Sequence, residues 1–344
     1  MDQYAGIDVS LEESHICVVD SDGKRLKEAK VFSEPEALIA WFAAFGAPIA
    51  RIGLEAGPLS QWLYAGMKTA GLAVELIETR HVRDAFKSML KTDRKDARGI
   101  AQLMRLGWFR PVHCKSLPAQ EVRALLTARK VLQLKRIDVE MSIRGILRGF
   151  GLKVGATTPR TYERRIRELV AEHDTLSFIG EGLLKARAAL ESEFKLLEKR
   201  LMRLARHDDR TKLLMTTPGV GALISLTFVS AIDDTGRFKS SRAVGAHFGL
   251  TQKKYQSGET DVTGRISKCG DREVRCARYE AANIILHKAG KASALKDWAM
   301  GVAKRAGLKK AKVALARKLA VVLHRMLADG TEFIATRAAR PMEA

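Results

Sequence analysis

The chain opens on a strand-length apolar run, Tyr4-Ala-Gly-Ile-Asp-Val-Ser10, interrupted by one carboxylate, Asp8. Two more strand patterns, His15–Val19 and Arg25–Val31, flank Asp20-Ser-Asp-Gly23, whose Asp and Gly residues favour a tight hairpin turn. Three successive antiparallel strands are expected. The period then changes: Glu34–Phe45 reads as helix, Ile49–Glu55 as a buried strand, Leu59–Ala70 as helix, Ala73–Ile77 as strand and Asp93–Leu106 as helix. The proline-containing stretch Arg110–Pro118 ends this alternation.

From Ala119 to Phe150 the pattern is helical, with Leu134, Ile137 and Met141 on one stripe, until Gly149, Gly151, Gly155 and Pro159 break it. A second long helix is predicted to run to about Arg206. Its Leu190, Phe194, Leu197, Leu201 and Leu204 keep the 4-3-4-3 spacing of a coiled-coil seam, which Arg187 interrupts. Such a seam closes either as an antiparallel hairpin within the chain or between chains. A third segment starts near Arg210, where Lys212–Thr216, Thr217-Pro-Gly-Val-Gly221 and the apolar helix Ala222–Ile232 have helix-hairpin-helix spacing. Gly219 and Gly221 let the backbone turn N–H groups toward a phosphate, although the same spacing also makes a plain helix-helix turn. The polar stretch Gly249–Gly270 precedes two basic helices, Asp271–His287 and Lys309–Leu327.

Three strands followed by αβαβα is the order of an RNase H-like α/β domain. The expected organisation is therefore an α/β segment over 1–118, a helical region over 119–207, a mainly α segment over 208–330 and a tail over 331–344.

Charge changes this picture. Sixty Lys and Arg against 39 Asp and Glu give +21 and call for a polyanionic partner, most simply nucleic acid. Residues 1–118 carry 16 basic and 15 acidic side chains, 119–207 carry 19 and 11, and 208–344 carry 25 and 13. The grip on a polyanion is thus expected downstream of the first segment. Cys17, Cys114, Cys269 and Cys276 show neither zinc spacing nor C-x-x-C pairing and read as reduced thiols. Met1 leads into the first strand without a basic-then-apolar leader and no long apolar run follows, so a cytoplasmic protein without membrane spans is expected.

Asp8 inside an apolar strand costs several kcal/mol unless it is paired or binds a cation. Glu55 ends the fourth strand pattern, and Asp93 and Asp96, three residues apart, share one face at the start of a helix. As a set, these four suit magnesium, or manganese in its place, for phosphodiester chemistry. Singly, Asp93 reads equally well as a helix cap and Asp96 as half of an ion pair.

A second constellation is Gln256-Ser257-Gly258. Ser257 is an accessible nucleophile candidate, with Lys253, Lys254, Arg265, Lys268 and Arg272 near enough in sequence to neutralise a phosphate. Ser-Gly is also an ordinary turn dipeptide. Ser267 is a rival on the same grounds and Tyr255 a third candidate. His247, His287 and His324 lie on apolar stripes and read as core or phosphate-facing residues. Trp41, Trp62, Trp108 and Trp298 are too dispersed for a base-stacking platform and read as core.

Gly6-Ile-Asp8, Leu54-Glu55, Lys91-Thr-Asp-Arg-Lys-Asp-Ala97, Pro218-Gly-Val-Gly221, Phe248-Gly-Leu250, Ser257-Gly258 and Gly264-Arg-Ile-Ser-Lys-Cys-Gly-Asp271 together resemble the DEDD-type insertion-sequence transposases. This is the IS-one-ten family, related to the Piv invertases. The resemblance implies a RuvC-like N-terminal domain, a coiled-coil insertion and a C-terminal transposase domain. It further implies that Asp8, Glu55, Asp93 and Asp96 bind magnesium and that a serine, matched to Ser257, links covalently to DNA. Partners implied are donor and target DNA, a bridge RNA as guide, and further copies of the chain as a dimer or tetramer. Glu259-Thr260 departs from the small and basic residues expected after Ser257-Gly258, which keeps Ser267 in play. A RuvC-like nuclease cutting by metal-activated water is the alternative from the acidic set alone.

Overall fold

A computed structural model of the chain describes residues 2–78, 93–287 and 293–335, with the side chains of residues 93–95 outside the description. The expected tail lies outside it from residue 336 onward. The chain forms two compact units, Met1–Lys115 and Ser116–Ala344.

The first unit is a three-layer α/β structure. Strands β1 (Tyr4–Asp8), β2 (Glu13–Val19) and β3 (Arg25–Phe32) pair antiparallel; β4 (Arg51–Glu55) and β5 (Val74–Ile77) extend the sheet from β1 in parallel, giving the order β3-β2-β1-β4-β5. This mixed five-stranded sheet is compatible with an RNase H-like domain. The β2–β3 turn closes as its residues dictate: the Asp20 carboxylate accepts the N–H groups of Asp22 and Lys24, and Gly23 takes φ +83°. Helices α1 (Pro35–Phe45) and α2 (Ser60–Thr69) cover one face, where Leu38, Phe42, Leu63 and Met67 pack on Ala5, Ile7, Ile52 and Leu54. Helix α3 (Asp93–Leu106) covers the other, setting Ala97, Ile100, Ala101 and Met104 against Tyr4, Cys17 and Ile77. Alternation along the strands decides this division, because Ala5 and Ile7 point one way and Tyr4, Gly6 and Asp8 the other.

The second unit begins with α4 (Leu117–Gly149), capped by the Ser116 hydroxyl, followed by α5 (Tyr162–Val170) and α6 (Asp174–His207). The seam of α6 closes on α4 of the same chain. Arg129 and Arg136 of α4 lie over the Phe194 ring while pairing with Glu198 and Glu191. Two expectations change here. Arg187 does not interrupt the buried face: it is 5% exposed and bonds Glu140 at 2.8 Å and Glu163 at 3.1 Å, so carboxylates on α4 and α5 balance its charge. Leu134, Ile137 and Met141 are exposed, because α4 turns the Arg129–Arg136–Glu140 stripe toward α6 instead. The break near residue 172 that separates α5 from α6 was not predicted.

Helices α7 (Asp209–Met215) and α8 (Ala222–Ile232) follow, then the short α9 (Ala243–His247). A hairpin of β6 (Gln252–Ser257) and β7 (Thr260–Ile266) leads into α10 (Arg272–His287), α11 (Ala294–Ala306) and α12 (Leu308–Asp329). Helix α8 is the centre of the unit: every residue from Ser225 to Ile232 is buried, as an apolar helix without a polar face requires. Its Phe228 joins Phe248, Val274, Ile285, Leu315 and Leu319 in one core. The tryptophans depart from the core reading. Trp41 packs on the sheet core, but Trp62, Trp108 and Trp298 are exposed, the last with the Lys318 ammonium 4.0 Å from its ring. Among the described residues no helix is long and apolar enough to cross a membrane.

Candidate active site and nucleic-acid interface

The acidic set is placed by the packing of α3 on the sheet. β1 and β4 run parallel with Ile7 opposite Leu54, so Asp8 and Glu55 stand at matching strand ends, both on the face that α3 covers. That cover is very close. A Cβ on Gly6 would fall 2.2 Å from the Ala97 carbonyl oxygen, and one on Gly53 would fall 2.5 Å from the Ile100 side chain. The C-terminal half of α3 is tied to the β2–β3 turn, with Gln102 donating to the Gly23 carbonyl and Arg105 to that of Ser21. Since this turn lies at the Tyr4 end of β1, the first turn of α3, carrying Asp93 and Asp96, lies at the Asp8 end. Asp8 is 9% exposed, and Glu55 and Asp96 are half-buried. The backbone thus brings Asp8, Glu55 and Asp96 to one end of one sheet face, and the Asp93 side chain lies outside the described residues. Among the described residues no three His, Cys, Asp or Glu side chains close into a metal-binding cluster.

Ser257 belongs to the second unit. It closes the β6–β7 hairpin opposite Thr260, across the two-residue loop Gly258-Glu259. Gly258 has φ +55° and Glu259 does not share that region, the pattern of a II′ turn with glycine first. Within the stretch read from the sequence only as polar, residues 252–257 and 260–266 therefore form strands. The alternation of Thr260, Val262 and Gly264 around a Gly-containing loop was the signal available for them. Lys253, Lys254 and Arg265 lie on this ribbon, with Lys254 bonded to Asp261 at 3.1 Å. Ser267, the rival serine, is at the base: its N–H donates to the Thr251 carbonyl, and its hydroxyl accepts from the Cys269 N–H.

The base of the ribbon is clamped by residues that pattern reading missed. One guanidinium nitrogen of Arg275 donates to the carbonyls of Cys269 at 2.6 Å, Gly270 at 2.9 Å and Phe248 at 3.4 Å, joining the two legs. Gly249 makes the approach possible, since a Cβ there would sit 2.3 Å from the Cys269 nitrogen. Lys268 is held at φ +56°, a strained value for a non-glycine residue. Lys268, Arg272 and Arg275 line a cavity of ≈ 420 Å³ beside the clamp, with Leu250 and Tyr279. Beneath it Arg278 is buried between the rings of Phe228 and Phe248, 4.2 and 4.5 Å away, and burial pulls its guanidinium down to about 9. Both arginines sit on a helix predicted only as basic, and spacing cannot tell an inward arginine from an outward one.

The glycines of the Pro218–Gly221 turn have different duties. Gly219, at φ +76°, is required by packing, since a Cβ would meet Ile285 at 2.9 Å and the Ala281 carbonyl at 3.0 Å. Gly221 is exposed at the start of α8 with nothing near its missing side chain, which leaves it open to a phosphate. His324 is core: 3% exposed, it contacts the Ser241 hydroxyl at 2.9 Å, and burial holds its imidazole below the ordinary range. His247 and His287 are exposed.

Two family models match the chain in separate stretches. Residues 5–151 match the DEDD transposase model, and residues 211–297 match the model described as Transposase IS116/IS110/IS902 family. The transposase for insertion sequence element IS1111A of Coxiella burnetii is 28% identical over 337 residues, covering 94% of this chain and 88% of that protein. The transposase for insertion sequence element IS1328 of Yersinia enterocolitica is 25% identical over 334 residues, covering 95% and 97%. The matched segments contain both the α3-covered carboxylates and the Ser257 hairpin. The chain belongs to the IS110/IS116/IS902 family of insertion-sequence transposases and is a DNA transposase.

Proposed function

We propose that this transposase cuts and rejoins DNA through Ser257, assisted by the acidic set. In this reading residues 1–118 are the RuvC-like DEDD domain, 119–207 the coiled-coil region and 208–330 the transposase domain that carries the nucleophile. The Ser257 Oγ attacks the scissile phosphorus and forms a phosphoserine ester as one P–O bond of the DNA backbone breaks. The serine proton is lost to solvent, and the departing deoxyribose oxygen takes one up. Attack of a second strand's hydroxyl on the ester then releases the serine and joins new DNA. Lys253, Lys254, Arg265, Lys268 and Arg272 hold backbone phosphates without reading bases.

Asp8, Glu55, Asp93 and Asp96 offer the hard oxygen donors that magnesium or manganese prefers, and a bound ion would polarise the phosphate and stabilise the leaving oxygen. The observation that most supports the reading is the common end of the α3-covered sheet face at which Asp8, Glu55 and Asp96 stand. The charge concentrated downstream, with no base-reading motif, supports recognition through a guide RNA encoded beside the gene. Exchange between two duplexes requires at least two active sites, hence a dimer or tetramer.

Trapping tests this directly. The full chain is incubated with magnesium, RNA transcribed from the non-coding stretch beside its gene, and a duplex spanning the element–flank junction, then denatured. A protein–DNA adduct is expected, absent in Ser257→Ala and retained in Ser267→Ala. Asp8→Ala with Asp93→Ala is expected to lower adduct formation by at least ~10²-fold. Hydrolysed ends without an adduct, with full activity in Ser257→Ala, would instead establish a nuclease that uses water.

A further inference from the structure

The hairpin that carries Ser257 also carries an apolar pair that this chemistry leaves unused. Tyr255 stands opposite Val262, one strand alternation from Ser257 opposite Thr260. Tyr255, Val262 and Ser257 therefore share one face, while Lys254, Gln256 and Asp261 occupy the other. Tyr255 is 66% exposed and Val262 56%. Every residue of β6, and all of β7 except Ile266, is exposed. A two-stranded hairpin with neither face buried is marginal in water, so this ribbon is held at its Arg275 clamp and gains a cover only from a partner.

Three features specify DNA as that cover. A two-stranded ribbon fits a groove of the duplex. Lys253 and Arg265 on the ribbon, with Lys268 and Arg272 at its base, suit the phosphates that border a groove. An exposed aromatic ring stacks on any base, and apolar side chains wedged between base steps unstack them. Two residues along a strand span about 7 Å, which is about two base steps.

We propose that Tyr255, backed by Val262, inserts into the DNA duplex about two base steps from the phosphate presented to Ser257, and that this unstacking bends the strand toward the serine. Tyr255 positions the DNA and takes no part in bond making. The inference rests on Ser257 as nucleophile for its purpose, but insertion has its own readout.

The junction duplex and RNA are used again, with 2-aminopurine placed in turn at each adenine of the duplex, and fluorescence is followed as the full chain binds. A severalfold rise at one or two adjacent positions is expected for the wild-type protein, Ser257→Ala and Tyr255→Phe, and no rise for Tyr255→Ala or Val262→Asp. Adduct formation by Tyr255→Ala is expected to drop about tenfold on the paired duplex and to recover on a duplex mismatched at the same step. No rise with the wild-type protein at any position, an equal rise with Tyr255→Ala, or equal losses on paired and mismatched duplexes would each overturn the proposal. A rise with Ser257→Ala accompanied by its undiminished cleavage would uphold insertion and remove the serine mechanism.

Discussion

The acidic end of the first unit and the serine hairpin of the second are held by opposite means. Asp8 ends a strand buried along its whole length, beneath a helix so close that Gly6 and Gly53 have no room for a side chain. Ser257 sits at the tip of a ribbon with both faces in solvent, ordered from its base by Arg275 and by the Ser267–Thr251 and Lys268–Gly249 backbone hydrogen bonds. Packed elements hold a constellation of side chains within tight limits, whereas segments with few buried contacts open at little cost. The contrast suits the proposed division of labour: carboxylates that must converge without the substrate, and a nucleophile that completes its placement on DNA.

The largest effect is expected from breaking the tight half. Gly6→Ala drives a Cβ into the backbone of α3 and should cost the first unit about 3 kcal/mol, read as a lower urea midpoint. Gly145→Ala, on an exposed turn of α4 with nothing within 4 Å, should instead stabilise slightly. A smaller, local effect is expected at the clamp. Arg275→Met removes hydrogen bonds from a charged donor, worth roughly 1.5–3 kcal/mol. Hydrogen-exchange protection at the Ser267 and Lys268 amides should fall about tenfold or more, adduct formation should fall with it, and the unfolding of the first unit should not move.

The smallest effect concerns pH. Burial, helped by Glu28, raises the Cys17 thiol to about 11, so the folded state keeps a proton that the unfolded chain releases near 9. Its contribution to stability is whole below that lower value and is lost as pH rises through about 11. The decline of stability across pH 9–11 should therefore be shallower in Cys17→Ala, and Cys17 should resist alkylation at pH 8 while the partly exposed Cys269 and Cys276 react.

Much of this was legible in the chain. The Asp20–Gly23 turn, the alternation around β1 and the proline before α4 are local signals, and each element they announce is present. The hairpin over 252–266 was hidden because its polar strands bury only part of Ile266 and so lack an apolar stripe. The Leu134–Met141 stripe misled for the converse reason: it is regular, yet the partner helix meets another face, where arginine stems cover Phe194 and their heads pair with glutamates.

By itself, the sequence determined which residues have the chemistry to act and on which local elements they stand, because turn preference and periodicity depend on neighbours a few positions away. Tertiary structure alone decided which of them meet. That Gly6 must lack a side chain follows from Ala97, ninety-one positions later, and that Arg278 lies between two phenylalanine rings follows from α8, which brings Phe228, and from Phe248 just after α9. Burial is a property of what arrives opposite a residue, and the chain near that residue does not encode it.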